Sequence, residues 1–114
     1  MHRRVIYITI TFLIIMLSHL VIHNSKADIE IEDNWEIYTK SLYNENITIK
    51  GNITVHEYLY LENTSIYFVA GIRMFTITEN AHVILRNSTL NAEKGFVLNV
   101  QGILEIYNCR IENL

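Results

Sequence analysis

No proline occurs in this sequence, glycine appears only four times in 114 residues, and cysteine once. Missing proline and scarce glycine argue against a collagen-like chain and against a Pro/Gly-rich disordered one. The single cysteine, Cys109, rules out an internal disulfide, on which small secreted domains often depend. Stability must then come from regular packing or from a partner. Basic residues are also short. From Asp28 onward there are twelve acidic residues against six basic ones, a balance of about −6 without the basic patch that phosphate backbones need. Nucleic acid is therefore not an expected partner. The length leaves room for one domain.

What is present falls into two parts. Met1-His2-Arg3-Arg4 is a short basic start, and Val5 to Ile22 follows as an apolar run of 18 residues without a charge. Ser25-Lys26-Ala27 then supplies the small-x-small spacing that a signal peptidase accepts, with the cut expected between Ala27 and Asp28. Residues 1–27 read as a cleaved signal peptide or an uncleaved signal-anchor helix, since 18 residues just suffice to span a bilayer. The product is expected outside the cytoplasm, secreted or at the cell surface. It would touch a membrane only through this segment. Residues 28–46, with Asp28, Glu30, Glu32, Asp33 and Glu36, read as an acidic linker or cap lying over the first coil of the second half, with Trp35, Ile37 and Tyr38 packed on it. This acidic cluster lacks the spacing and glycine of a calcium loop.

The second half repeats. Ile53–Ile66, Ile77–Leu90 and Leu98–Ile111 align without a gap at offsets of 24 and 21 residues. Periods in this range mark solenoids. Leu59, Val83 and Leu104 form one apolar column, Leu61, Leu85 and Ile106 a second, and Ile66, Leu90 and Ile111 a third. The columns between them, Tyr60/Ile84/Glu105 and Glu62/Arg86/Tyr107, tolerate charge. That alternation predicts strands with one face buried. Phe75 and Phe96 match as well, each 12 residues ahead of a repeated asparagine. Asn63, Asn87 and Asn108 recur identically, each followed by a small residue: Thr64, Ser88, Cys109. Asparagine tolerates left-handed backbone, so it suits a tight corner, and stacked asparagines can form a ladder. Cys109 reads as a small buried residue in that column.

This strand–Asn–small–x–Ile/Leu pattern resembles the right-handed parallel β-helix repeats of the pectate-lyase-like superfamily, and in particular small repeats of secreted and surface proteins. The resemblance covers about Ile47 to Leu114 and implies an all-β fold of about three coils. The competing fold is an antiparallel meander turning at His56-Glu57, Asn80-Ala81 and Gln101-Gly102. Each coil of a solenoid stacks only on its neighbours. The sequence after the third repeat offers no polar cap, so residues 47–114 read as repeats continued by further chain or covered by a partner, self-association included.

Four Asn-x-Ser/Thr sequons occur, at Asn46, Asn52, Asn63 and Asn87. Asn63 and Asn87 double as corner residues, and an inward ladder would conflict with a bulky glycan there. Asn46 and Asn52 are then the better candidates. Catalytic residues, cofactor loops and metal-ligand sets are not expected, because no phosphate loop, nucleophile elbow or triad is present. His56 and His82 lack a Cys or Asp partner. Glu62 and Arg86 look like a surface ion pair. Tyr58, Tyr60 and Tyr67 suit an aromatic strip for sugar or ordinary strand positions. The reading is an exported β-helix with a structural, adhesive or polysaccharide-contacting role that is not itself catalytic. The alternatives are the front piece of a β-helical polysaccharide lyase or hydrolase, and a periplasmic-type β-helix that delivers metal.

Overall fold

The computed structural model describes residues 26–114, and all its regular structure is strand. The apolar run of the expected leader lies outside the described residues. Eleven strands succeed one another: β1 (Ala27–Ile31), β2 (Trp35–Tyr43), β3 (Glu45–Ile49), β4 (Ile53–Glu62), β5 (Ser65–Phe68), β6 (Arg73–Ile77), β7 (His82–Arg86), β8 (Thr89–Ala92), β9 (Phe96–Val100), β10 (Ile103–Tyr107) and β11 (Arg110–Ile111). Every pairing between them is parallel. The meander is thereby overturned, since adjacent hairpin strands would pair antiparallel. The three expected hairpin turns are corners between successive faces.

The chain winds a β-solenoid of about four turns with three faces. The first face stacks β1, β3, β5, β8 and β11. The second stacks the front of β2, the front of β4, β6 and β9, and the third stacks the back of β2, the back of β4, β7 and β10. Inward columns run as the alternation predicts: Leu59, Val83 and Leu104 are register partners, as are Leu61, Leu85 and Ile106, and Ile66, Leu90 and Ile111. Within the middle coils these positions are buried completely or nearly so. Each strand turns Ile, Leu, Val or Phe into the core and leaves the next residue for solvent, which is why β-branched and aromatic types dominate.

Two expectations change. The acidic segment 28–46 is not a cap lying over the repeats but the first coil itself. Ile37 and Leu42 are buried, Ile29, Ile31 and Trp35 pack against the core, and Tyr38 faces solvent. Asp28, Glu30 and Glu36 are outward strand positions, and Glu32 and Asp33 lie exposed in the corner between β1 and β2. The gap-free alignment also slips in its first residues. Ile53 pairs with Phe75 and Phe75 with Leu98, while Phe96 lies beside Arg73. The cause is the corner at Thr78–Ala81, closed by an Ala81 N–H donated to Thr78 O, which holds two residues more than the His56-Glu57 corner. The two phenylalanines still meet in the core, because each packs on Phe68: Phe96 is stacked at 5.0 Å between centroids and Phe75 is edge-on at 6.3 Å.

The two ends of the solenoid differ. In the first coil Lys40 takes the register position of buried Leu59 and remains exposed, an inward-column charge of the kind that discourages edge-to-edge pairing. In the last coil the same column ends in Leu104, with Ile106 beside it and Val100 and Ile103 largely uncovered. Replacing Lys40 with leucine is expected to promote concentration-dependent self-association, measured by light scattering. An unchanged monomer fraction would show that Lys40 does not guard this edge.

Candidate functional site

Parallel stacking lines up the outward residues of successive coils in rows whose members lie about 4.8 Å apart. On the third face these rows are Thr39, Tyr58, His82, Ile103; then Ser41, Tyr60, Ile84, Glu105; then Tyr43, Glu62, Arg86, Tyr107. Four tyrosines, two carboxylates, one imidazole and one guanidinium thus share one sheet surface, the densest such grouping among the described residues. Tyr43 and Tyr60 lie 5.7 Å apart and tilted, and Tyr58 meets the His82 ring edge-on at 6.2 Å.

The charged groups are held by the tyrosines. Tyr60 Oη donates to Glu62 Oε1 at 3.2 Å, and Tyr107 Oη donates to Glu105 Oε1 at 2.7 Å. The other oxygen of Glu105 meets His82 Nε2 at 2.5 Å across one rung. Arg86 does not pair with Glu62, its register neighbour. Its guanidinium lies over the Tyr107 ring at 4.3 Å, a cation–π contact, so the expected ion pair is replaced. A second imidazole, His56, bonds Glu36 Oε2 at 2.8 Å and stacks on Tyr38 at 4.7 Å on the neighbouring face. Both histidine–glutamate pairs escape a reading of the sequence, because their partners stand 23 and 20 residues apart and meet only once the coil lengths are known.

The Tyr107 hydroxyl, and after it His82, hold the Glu105 carboxyl below its ordinary value. Glu105 in turn holds the Tyr107 phenol above its own. Tyr60 is raised mainly by desolvation, with Glu62 adding to it. Because the folded-state value of Glu105 lies below the unfolded one, its contribution to stability is present above the unfolded pKa. It is lost as pH falls through the folded pKa. Glu105→Gln is expected to flatten that part of the acid limb, the variant lying slightly below the parent near neutral pH and converging with it in acid, as thermal melts across an acid pH series would show. Identical acid limbs would mean that the cluster contributes nothing on this exposed surface.

The asparagine corners form a separate feature. Asn63, Asn87 and Asn108 adopt φ of 49°, 48° and 53°, and Asn44 joins them at 57°. Asn63 Nδ2 donates to Asn44 Oδ1 at 2.8 Å and Asn108 Nδ2 to Asn87 Oδ1 at 2.7 Å. These are two separate outward-facing pairs instead of the expected continuous ladder, since among the described residues Asn63 and Asn87 share no hydrogen bond. Asn44 lacked the signature in sequence because Glu45, not a small residue, comes after it. Inside the corner Ser88 Oγ accepts from Thr64 N, and Cys109 Sγ accepts from Ser88 N. Cys109 Sγ also donates to Tyr107 O, as the Ser88 hydroxyl donates to Arg86 O. The half-buried cysteine thus fills a hydroxyl position. The corner residues Asn87, Ser88, Thr89, Asn108, Cys109 and Arg110 line an open recess of about 390 Å³.

Of the remaining sequence candidates, Asn46 projects from the first face and Asn52 is half-buried at a corner, its Oδ1 accepting from Met74 N at 2.9 Å. Tyr67 lies on the first face, away from Tyr58 and Tyr60. The expected cut at Ala27–Asp28 falls inside β1, where Ala27 N–H donates to Asn44 O. Among the described residues no three His, Cys, Asp or Glu side chains converge as a metal site requires.

No protein-family model matches the chain, and no solved structure matches it. Similarity is found to the tRNA modification GTPase MnmE of two strains of Ureaplasma parvum serovar 3, at 29% identity over 99 residues in each case. That alignment takes in 85% of this chain but 23% of the relatives, so the chain spans less than a quarter of their length. The G-x-x-x-x-G-K-[ST] loop that cradles nucleotide phosphates is absent from this sequence. The chain is similar to a segment of that GTPase and has no such phosphate-binding loop of its own.

Proposed function

We propose that this is an exported β-helix protein of the cell surface that contacts neutral polysaccharide through its third face and is not itself catalytic. The observation that carries the reading is the surface of Tyr43, Tyr58, Tyr60 and Tyr107 interleaved with Glu62, Glu105, His82 and Arg86. Aromatic faces offer apolar area for sugar rings while carboxylates and imidazole accept or donate to hydroxyls. The charges on this face nearly balance, which favours a neutral glycan over a uronic one. The basic start, apolar run and Ser25-x-Ala27 support export. A right-handed winding is expected from the strong preference of parallel crossovers for that hand, and it would agree with the pectate-lyase-like resemblance.

Glu62 and Glu105 are each committed to a tyrosine, and they stand two rungs and two residues apart in register. That places their Cα atoms about 12 Å apart. A second reading, the front piece of a polysaccharide-cleaving β-helix, draws on the His82–Glu105 pair beside Arg86 on the same face.

Affinity electrophoresis in gels cast with neutral or uronic polysaccharides separates the two. Retardation in a neutral gel, weakened about tenfold or more by the double change Tyr58→Ala and Tyr60→Ala, is the expected result. Equal migration of the variant would remove the face from the account. Newly released reducing ends in the gel would replace binding with cleavage.

A further inference from the structure

The four sequons are not equivalent once folded. Asn46 lies on the outward side of β3, between Asp28 and Ser65 in its row, with Ile47 and Ile49 turned inward. It is exposed, and its one side-chain bond is an Nδ2 donation to Asp28 Oδ1 at 3.3 Å. Asn87 is also exposed. Its Oδ1 accepts from Asn108, while its Nδ2 makes no hydrogen bond among the described residues. Thr48 and Thr89, the hydroxyl residues of these two sequons, both occupy outward rows.

The other two are engaged differently. Asn63 is half-buried between the coils of Asn44 and Asn87, and its Nδ2 is the atom spent on Asn44 Oδ1. Asn52 is half-buried with its carbonyl fixed by the Met74 N–H and its own N–H taken by Asn34 Oδ1. Both side chains are half-buried, which leaves a branched sugar less room than at exposed Asn46 and Asn87. The sequence alone ranks Asn52 above Asn87; the outward-facing asparagine pairs reverse them.

We propose that Asn46 and Asn87 are acceptors of N-linked glycans. The amide Nδ2 forms a bond to C1 of the first sugar of a polyprenyl-pyrophosphate-linked oligosaccharide. The C1–O bond to pyrophosphate breaks, the lipid pyrophosphate leaves, and the amide gives up one proton. One N–H and the carbonyl oxygen remain on the asparagine, so the Asn108-to-Asn87 bond survives the modification. The Asp28 contact of Asn46 survives through the remaining N–H or is replaced by water. The inference rests on the export reading, because the oligosaccharide is transferred outside the cytoplasm.

The test is intact mass and peptide mapping of the full chain from its native source, before and after peptide-N-glycosidase, which leaves aspartate at each occupied asparagine. Expected are two glycans per chain, with aspartate at positions 46 and 87 and unchanged Asn52 and Asn63. Asn46→Gln and Asn87→Gln should each remove one glycan, whereas Asn52→Gln and Asn63→Gln should remove none. An exported chain with bare Asn46 and Asn87, or with sugar on Asn52 and Asn63 instead, would overturn the assignment and leave export standing. A chain recovered from the cytoplasm with its N-terminal segment intact would overturn export, and this assignment with it. The same spectra read the N-terminal mass, so the two failures are distinguishable.

Discussion

Gly102→Ala is expected to detach the fourth coil from the third. A Cβ at this position would collide with the carbonyl oxygens of both Ala81 and Thr78, far inside contact distance. Both are backbone atoms of the coil beneath, so no side chain can swing away. Gly102 N–H also donates to Ile77 O, and the next residue, Ile103, donates to Ala81 O, so relief of the clash breaks ladder bonds on both sides of the corner. Overpacking in well-packed regions costs about 1–3 kcal/mol, and contact with fixed backbone belongs at the upper end or beyond. Hydrogen exchange gives the sharper reading. Amides of β9 and β10 should lose protection while those of β3 and β5 keep theirs, since each coil depends on its neighbours alone. Uniform protection in the variant would show that the corner yields without separating the coils. Gly51 is placed likewise, with a Cβ there driven into the Asp33 carbonyl group, so the equivalent change should loosen the first coil.

Truncating Phe68 to alanine is expected to cost about 3–5 kcal/mol, the range for a buried aromatic that leaves a cavity. Phe68, on the first face, is fully buried and touches two rings of the second, Phe75 edge-on and Phe96 stacked. Its register partner in the next coil is Ala92, whose small side chain leaves the space that Phe96 fills. The core is narrow, walled by three sheets, and cannot collapse around a hole without bending strands that are paired along their length. Tyr67→Ala, the adjacent outward position, should change stability by about 0.5 kcal/mol or less. Denaturant unfolding of the two variants makes the comparison. Similar midpoints would mean that the three rings are not the structural centre of the middle coils.

Much of this architecture is legible in the residues. Leu59, Leu61 and Ile66 can be matched to Val83, Leu85 and Leu90 because burial on a strand has a period of two, and the Asn–small corner marks where each strand ends. Those signals are local, and they repeat. The first coil is not legible on the same terms. Ile29, Ile31, Ile37 and Leu42 alternate correctly, but Glu45 replaces the small residue, Lys40 interrupts an apolar column and a bulge between Ile37 and Thr39 shifts the register. Among the described residues this coil has one neighbouring coil instead of two, so packing constrains its sequence less. The candidate site was partly legible: Tyr58 and Tyr60 could be named, whereas Tyr43, the pairing of His82 with Glu105, and Arg86 over Tyr107 could not, and Tyr67 belongs to another face.

By itself the sequence determined the strand alternation, the identity of the core columns, the Asn corners and the all-β solenoid class, each set by side-chain chemistry acting on a few neighbouring residues. Only the tertiary structure decided how coils of unequal length align. The two additional residues at Thr78–Ala81 cost little locally, yet they set which residues face one another a full turn away. The tertiary structure also decided that the asparagine pairs face solvent and that Glu105 meets His82 while Arg86 covers Tyr107. Contacts between rungs depend on the summed path of some twenty residues, and no short stretch of sequence carries that sum.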